Sequence, residues 1–296
     1  MSRPRWRPGG GSAWFARHGI GRGRDRSVDR ATLCLSFDYE RGFAGEDAGL
    51  ADRGLEGVLN VLAQRRAAAT FNCVARVAQT APERLREIQN GGHEIACHGY
   101  AHESPRDLTD DGQREVLRLA REAFERVAVR PIGFRSPQSH WDRRLCSLLA
   151  AEGYLYNAEH DAARQPYVLL DDPRPLLRLP IRGDDWDRVR RPASPGDHGG
   201  PDEVEYRHIK WLKKSTSGRG FIALGYHPWL LAATEGGLDG LGRLLDAALD
   251  AGARVRRMGD VARELIEAPG GADAGGRGEA DRASDFEAPV SPERGS

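Results

Sequence analysis

Two histidines, His98 and His102, sit in the stretch EIACHGYAHESP directly after a short apolar run, and two carboxylates, Asp38 and Glu40, end the stretch LSFDYE in the same way. Neutral imidazoles and a carboxylate make the three-ligand set that holds a catalytic zinc ion while leaving one position for water. On its own, an H-x3-H loop serves equally well as a pair of satisfied turn histidines. Asp38 and Glu40 fall on one side of an extended segment because side chains alternate there. Arg135 in FRSPQSHWD and His227 in GYHPW add a cation and a third imidazole, again just after apolar runs.

Those apolar runs predict strands that alternate with helices. TLCLSFD, AATFNC, GHEIACH, IGFR, LLRLPI, FIALGY and RVRR read as strands. Between them, Leu55, Val58, Leu59 and Leu62 recur at helical spacing, as do Val116, Leu119, Ala120, Ala123, Phe124 and Val127 and, later, Leu241, Leu244, Leu245, Ala248 and Leu249. Thr80 with Glu83 reads as a capping box before a helix to Ile88. This alternation predicts an α/β fold, a parallel sheet covered by helices and either closed into a barrel or left open. Chemistry in such folds gathers at the carboxyl ends of strands. Acids, imidazoles and Arg135 follow four separate strands in that manner.

The bulk properties fit one catalytic domain over residues 31–268. The chain has 296 residues and a formal charge of zero, so the totals do not point to nucleic acid. No apolar run nears the roughly 18 residues of a membrane span. Cys34, Cys73, Cys97 and Cys146 are far apart and form no CxxC pair, which speaks for buried thiols over a disulfide scaffold or structural zinc. Residues 1–30 carry eight arginines from Arg3 to Arg30 and read as a flexible basic arm. They lack the apolar core of a secretory signal, so the expected compartment is the cytoplasm. Residues 269–296 read as a disordered acidic tail.

The ordered set LSFDYE, ATFNCVARVAQTAPERLREIQNGGHEIACHGYAHESP, GFRSP and GYHPW resembles the polysaccharide deacetylase, or NodB-homology, superfamily over about Thr32 to Ile266. The resemblance implies a distorted (β/α) barrel in a single domain, a divalent metal that is usually Zn²⁺, and hydrolysis of N-acyl or other C–N amide bonds. It implies that His98 and His102 are metal ligands and Asp38 the general base. The commonest opening motif, Asp-Asp-Gly, is replaced here by Asp38-Tyr39-Glu40. The chain therefore resembles the Asp-x-Glu subgroup, in which the third position, here Glu40, completes the metal set. Pro137 and Gln138 match the oxyanion segment, which implies a role for the Gln138 backbone N–H.

Amide hydrolysis needs an activated water, oxyanion stabilisation and a proton for the departing amine. Arg135 is assigned to orient Asp38, and His227 to act as the acid. Asp185 and Trp186 in RGDDWD follow a strand and either wall the substrate site or lie in a surface loop; Trp229 either faces a sugar ring or packs. The expected activity is removal of an acyl group, chiefly acetyl, from an amino sugar or related small-molecule or glycan substrate. The alternatives are a metal-independent, allantoinase-like amidohydrolase and a silent glycan-binding module. The oligomeric state is left open.

Overall fold

The computed structural model describes residues 22–169, 174–186, 201–216 and 220–267. The expected acidic tail, residues 1–21 of the expected arm, and residues 187–200 of a loop expected to shape the pocket lie outside them. The strands are β1 (Arg22–Asp25), β2 (Thr32–Tyr39), β3 (Thr70–Cys73), β4 (Glu94–Cys97), β5 (Gly133–Phe134), β6 (Tyr156–Asn157), β7 (Tyr167–Leu169), β8 (Leu176–Arg178), β9 (Ile181–Asp184), β10 (Phe221–Tyr226) and β11 (Arg254–Val255). The helices are α1 (Ala48–Gln64), α2 (Val77–Thr80), α3 (Pro82–Asn90), α4 (Asp110–Glu125), α5 (Arg143–Ala151), α6 (Pro201–Thr216), α7 (Pro228–Ala233), α8 (Gly237–Asp250) and α9 (Met258–Glu267).

Strand β2 is buried along its whole length, as a strand covered on both faces must be. It runs parallel to β10 on one side. On the other side it pairs with β11 at Thr32 and Leu33 and with β3 from Ser36 to Tyr39, so two strands share one edge. From β3 the parallel order continues through β4, β5, β6 and β8, while β9 lies beyond β10. A single parallel bridge, His160 to Ile181, joins the segment after β6 to β9, with the Ile181 N–H donating to the Glu159 carbonyl at 2.8 Å. That bridge curls the sheet into the distorted barrel that the family resemblance implies, where the alternation alone left barrel or open sheet undecided.

The outer helices seal the barrel through apolar faces. Leu55, Val58 and Leu62 of α1 are fully buried, each worth roughly 1.5–3 kcal/mol. Asp47 caps that helix by accepting the Leu50 N–H at 2.7 Å. Gly54 lets α1 lie directly on α7, since a Cβ there would stand 2.1 Å from the Pro228 carbonyl oxygen. This contact fixes the chain immediately after His227. Phe37 and Phe71 stack at 5.0 Å between the two central strands. All four cysteines are buried and unbridged, as expected. No helix among the described residues is long and apolar enough to cross a membrane.

Three sequence expectations change. Residues 22–25, counted in the flexible arm, form β1 and pair antiparallel with β7, and Val28 is fully buried. Pairing gives the edge of β7 a partner that a loose arm would leave missing. The run LLRLPI divides into β8 and β9, since the chain leaves β6 and β7 for β10 around Pro180, which has no N–H to donate. Thr80 does not cap the helix to Asn90. It closes the short helix α2, its hydroxyl donating to the Arg76 carbonyl, and Ala81 stands at the cap position instead.

Candidate active site

Asp38 (near the end of β2), Glu40 (after β2), His98 (after β4), Arg135 (after β5), Glu159 and His160 (after β6), Asp184 (last residue of β9), Asp185 (after β9) and His227 (after β10) occupy the carboxyl ends of the parallel strands. Asp38, Glu40, His98, Arg135, Asp185 and His227 are all buried. So many buried charges must compensate one another or hold a ligand.

Glu40, His98 and His102 form one cluster, with their ligand atoms within 4.8 Å of one another. The His102 Nε2 stands 2.9 Å and the His98 Nε2 3.7 Å from the same Glu40 oxygen, Oε1. His98 Nδ1 lies 2.8 Å from the Arg135 carbonyl, which can only accept, so this nitrogen carries the proton and Nε2 faces the cluster. That buried Nε2 has no hydrogen-bond partner among the described residues. A nitrogen, nitrogen, oxygen donor set with an orphaned buried imidazole fits a divalent cation of the zinc type. Burial works against ionisation of Glu40, yet His102 and His98 hold its carboxyl well below the usual range.

The loop that brings the histidines together has an unusual backbone. Gly99 and His102 both have positive φ, 76° and 67°. Glu103 compensates by accepting the Ala101 and Tyr100 N–H groups at 2.8 and 3.2 Å. Backbone bonds from Ala75 to Gly99 and from Arg76 to Tyr100 tie the same loop to the end of β3.

Asp38 sits beside this cluster. Arg135 Nε donates to both its oxygens, at 2.9 and 2.8 Å, and Asn72, its register partner on β3, donates to Oδ1 at 2.6 Å. Burial raises the carboxyl's pKa, but Arg135 and then His98 and His227 outweigh it and keep Asp38 ionised. Its Oδ2 is 3.8 Å from His227 Nε2. On the other side of that ring, Asp185 accepts from Nδ1 at 2.7 Å and from the His227 backbone N–H at 2.9 Å. Burial alone would deprotonate His227; Asp185, aided by Asp38 and Glu40, instead pushes its pKa up to about 10. The imidazole therefore carries its proton at neutral pH.

This sets a pH dependence. If protonated His227 serves as an acid, activity falls as pH rises through its pKa. Asp185→Asn removes the main raising charge, so the alkaline limb of kcat should move down by more than about one pH unit. An unmoved limb in the pH profile of this variant would separate His227 from the acid role.

The structure brings Trp186 into the site rather than onto a surface loop. Its ring lies 5.4 Å from that of His227 and meets Trp229 edge-on at 5.9 Å, and Trp229 is 6.2 Å from His227. The two indoles make a half-exposed apolar wall beside His227. Asp185, for which the sequence left both a site wall and a surface loop open, is fully buried and holds His227. Gln138 is exposed at the tip of a turn, with φ of 62° followed by 53° at Ser139. Buried Glu159 anchors that turn by accepting from the Ser136 N–H at 2.7 Å and the Ser139 hydroxyl at 2.9 Å. His93 accepts the Ala69 N–H at 3.2 Å and lies against the Phe71 ring.

Sequence reasoning passed over Asn72, Glu103, Glu159 and the His160–Asp184 pair. Asn72 carried a usable signal, an amide inside the apolar run AATFNC at the level of Asp38.

A family model described as polysaccharide deacetylase matches residues 25–156, a span that holds Asp38, Glu40, His98, His102 and Arg135. The fold agrees over most of the chain. A Mycobacterium smegmatis protein assigned to the polysaccharide deacetylases superposes with a TM-score of 0.71 at 25% identity, covering 83% of this chain and 94% of that one. In the sequence of residues 25–156 and in fold, the chain resembles the polysaccharide deacetylase superfamily. Among curated superfamily members it is similar to the peptidoglycan deacetylase-like protein FGM2 of Gibberella zeae, 34% identical over 136 residues, which are 44% of this chain and 38% of that protein. It is also similar to the peptidoglycan deacetylase of Helicobacter pylori, 26% identical over 153 residues, half of each protein. The chain spans half the length or less of these curated superfamily relatives.

Proposed function

We propose that the chain hydrolyses the amide of an N-acylated, chiefly N-acetylated, amino sugar or glycan, using a divalent cation, zinc by preference, held by Glu40, His98 and His102. The observation that carries this reading is the meeting of that ligand set with Asp38 and protonated His227 at one end of the barrel. The peptidoglycan deacetylase name borne by a curated relative supports the substrate class.

A bound dication supplies Lewis-acid polarisation of the amide carbonyl and eases ionisation of a water beside it. Asp38, ionised and held by Arg135 and Asn72, accepts the proton of the attacking water at Oδ2. The new C–O bond forms as the carbonyl becomes a tetrahedral oxyanion, toward which the Gln138 backbone N–H is assigned. His227 gives its proton to the amine nitrogen as the C–N bond breaks, leaving a carboxylic acid and a free amine. Asp185 holds the ring in the orientation that keeps Nε2 facing the reacting centre. Trp186 and Trp229 offer apolar faces to a sugar ring.

The test is an amine-release screen of N-acetylated mono- and oligosaccharides and small cyclic amides, with zinc and with chelator. Release of acetate and amine that depends on added metal is the expected result. Release that survives chelation would favour the metal-independent amidohydrolase. Saccharide binding with no release from any compound would favour a silent binding module.

A further inference from the structure

The charge network around Asp38 extends past Arg135. At the end of β9 two adjacent acids each take an imidazole: Asp185 takes His227, and Asp184 takes His160, whose Nε2 lies 2.6 Å from Asp184 Oδ2. The hydrolysis outlined above makes no use of His160. Yet this residue stands at the bridge that curls the barrel, its backbone N–H donating to Ser139 Oγ at 2.8 Å and its carbonyl accepting from Trp141 Nε1 at 3.4 Å. It is thereby fixed between the Gln138 turn and the Trp186 wall. The other Asp184 oxygen accepts the Trp186 backbone N–H at 3.2 Å.

Asp184 and Arg135 approach each other across a glycine. A Cβ on Gly225 would stand 3.1 Å from the Asp184 Cβ and 3.7 Å from Arg135 Nη2. The guanidinium thus feels three acids, Asp38, Glu159 and Asp184. Its Nε serves Asp38 and its Nη1 donates to the Ala158 carbonyl at 3.3 Å. Glu159 is already engaged by Ser136, Ser139 and Asn157, so it does not draw Arg135 away. Asp184 is kept from doing so by His160.

We infer that His160 is a positioning residue for the proposed hydrolysis: by engaging Asp184 it leaves the Arg135 guanidinium committed to Asp38. The inference rests on that reading of the site. A buried carboxylate stripped of its donor competes strongly for the nearest cation, because an unpaired buried charge is costly. Arg135 has five donors in a rigid fork, so turning toward Asp184 exchanges one good ion pair for another. The loss falls on Asp38, which must keep its geometry to accept a proton.

The test compares His160→Ala with the double variant His160→Ala/Asp184→Asn. The amide introduced by Asp184→Asn keeps an oxygen for the Trp186 N–H while removing the competing charge. His160→Ala should lower kcat for acetate release about tenfold with KM changed less than about twofold, and the second substitution should restore kcat to within about threefold of the parent. The Arg135 Nε–H resonance, followed in arginine-labelled protein, should shift in the single variant and return in the double. Unchanged kcat and resonance in His160→Ala, or a double variant as slow as the single one, would overturn the inference. A parent enzyme without turnover would sink the hydrolysis reading alone, and the resonance, which needs no substrate, would still decide the place of His160.

Discussion

Asp38→Asn should reduce kcat by a factor of about 10²–10⁴, the range that a positioned general base contributes. The substitution keeps the shape of the side chain and an oxygen for Arg135, but an amide has no basic site for the proton of water. Metal content should stay at the parent level, because Glu40, His98 and His102 make the ligand cluster without Asp38. Substrate KM should change little. The same change leaves the Arg135 guanidinium, which is 2% exposed, without its closest counter-charge. Breaking a buried pair from one side costs about 3 kcal/mol or more, so the urea midpoint should fall as well. Activity is therefore measured well below that midpoint, with metal content determined on the same sample. A variant that retains more than a third of the parent kcat would remove Asp38 from the base role.

How much of this was legible beforehand depends on how far apart the partners lie along the chain. Asp38 and Glu40 were readable because alternation along one strand puts both on one side, and His98 and His102 because one loop carries both. Arg135 and His227 could be assigned since each follows a strand that the apolar runs already marked. The partner of His227 was not readable in the same way. Asp185 lies 42 residues earlier in the chain and reaches the ring only because β9 pairs with β10. Nothing in RGDDWD tells which of the two acids faces inward and which takes His160. Barrel curling is hidden for a related reason: it depends on one residue pair, His160 and Ile181, outside any long strand. Strand β1 was missed because its composition is that of a basic loop and its order comes from the open edge of β7.

Removal of one ligand should have the second large effect. His102 reaches Glu40 from a strained loop position, with φ of 67°, and Glu103 holds the backbone there by hydrogen bonds that do not involve the imidazole. His102→Ala should therefore leave the fold intact, and alanine removes one of three donors outright. A cation held by the remaining two groups binds far more weakly, as loss of merely supporting residues already costs about 10–100-fold. Turnover should fall at least as far, with partial recovery at high zinc. The most direct measurement is zinc anomalous scattering from crystals of the parent and of His102→Ala. The account predicts one strong peak bounded by Glu40, His98 and His102 in the parent and its loss in the variant. An active parent with no peak at that position, or an undiminished peak in the variant, would contradict it.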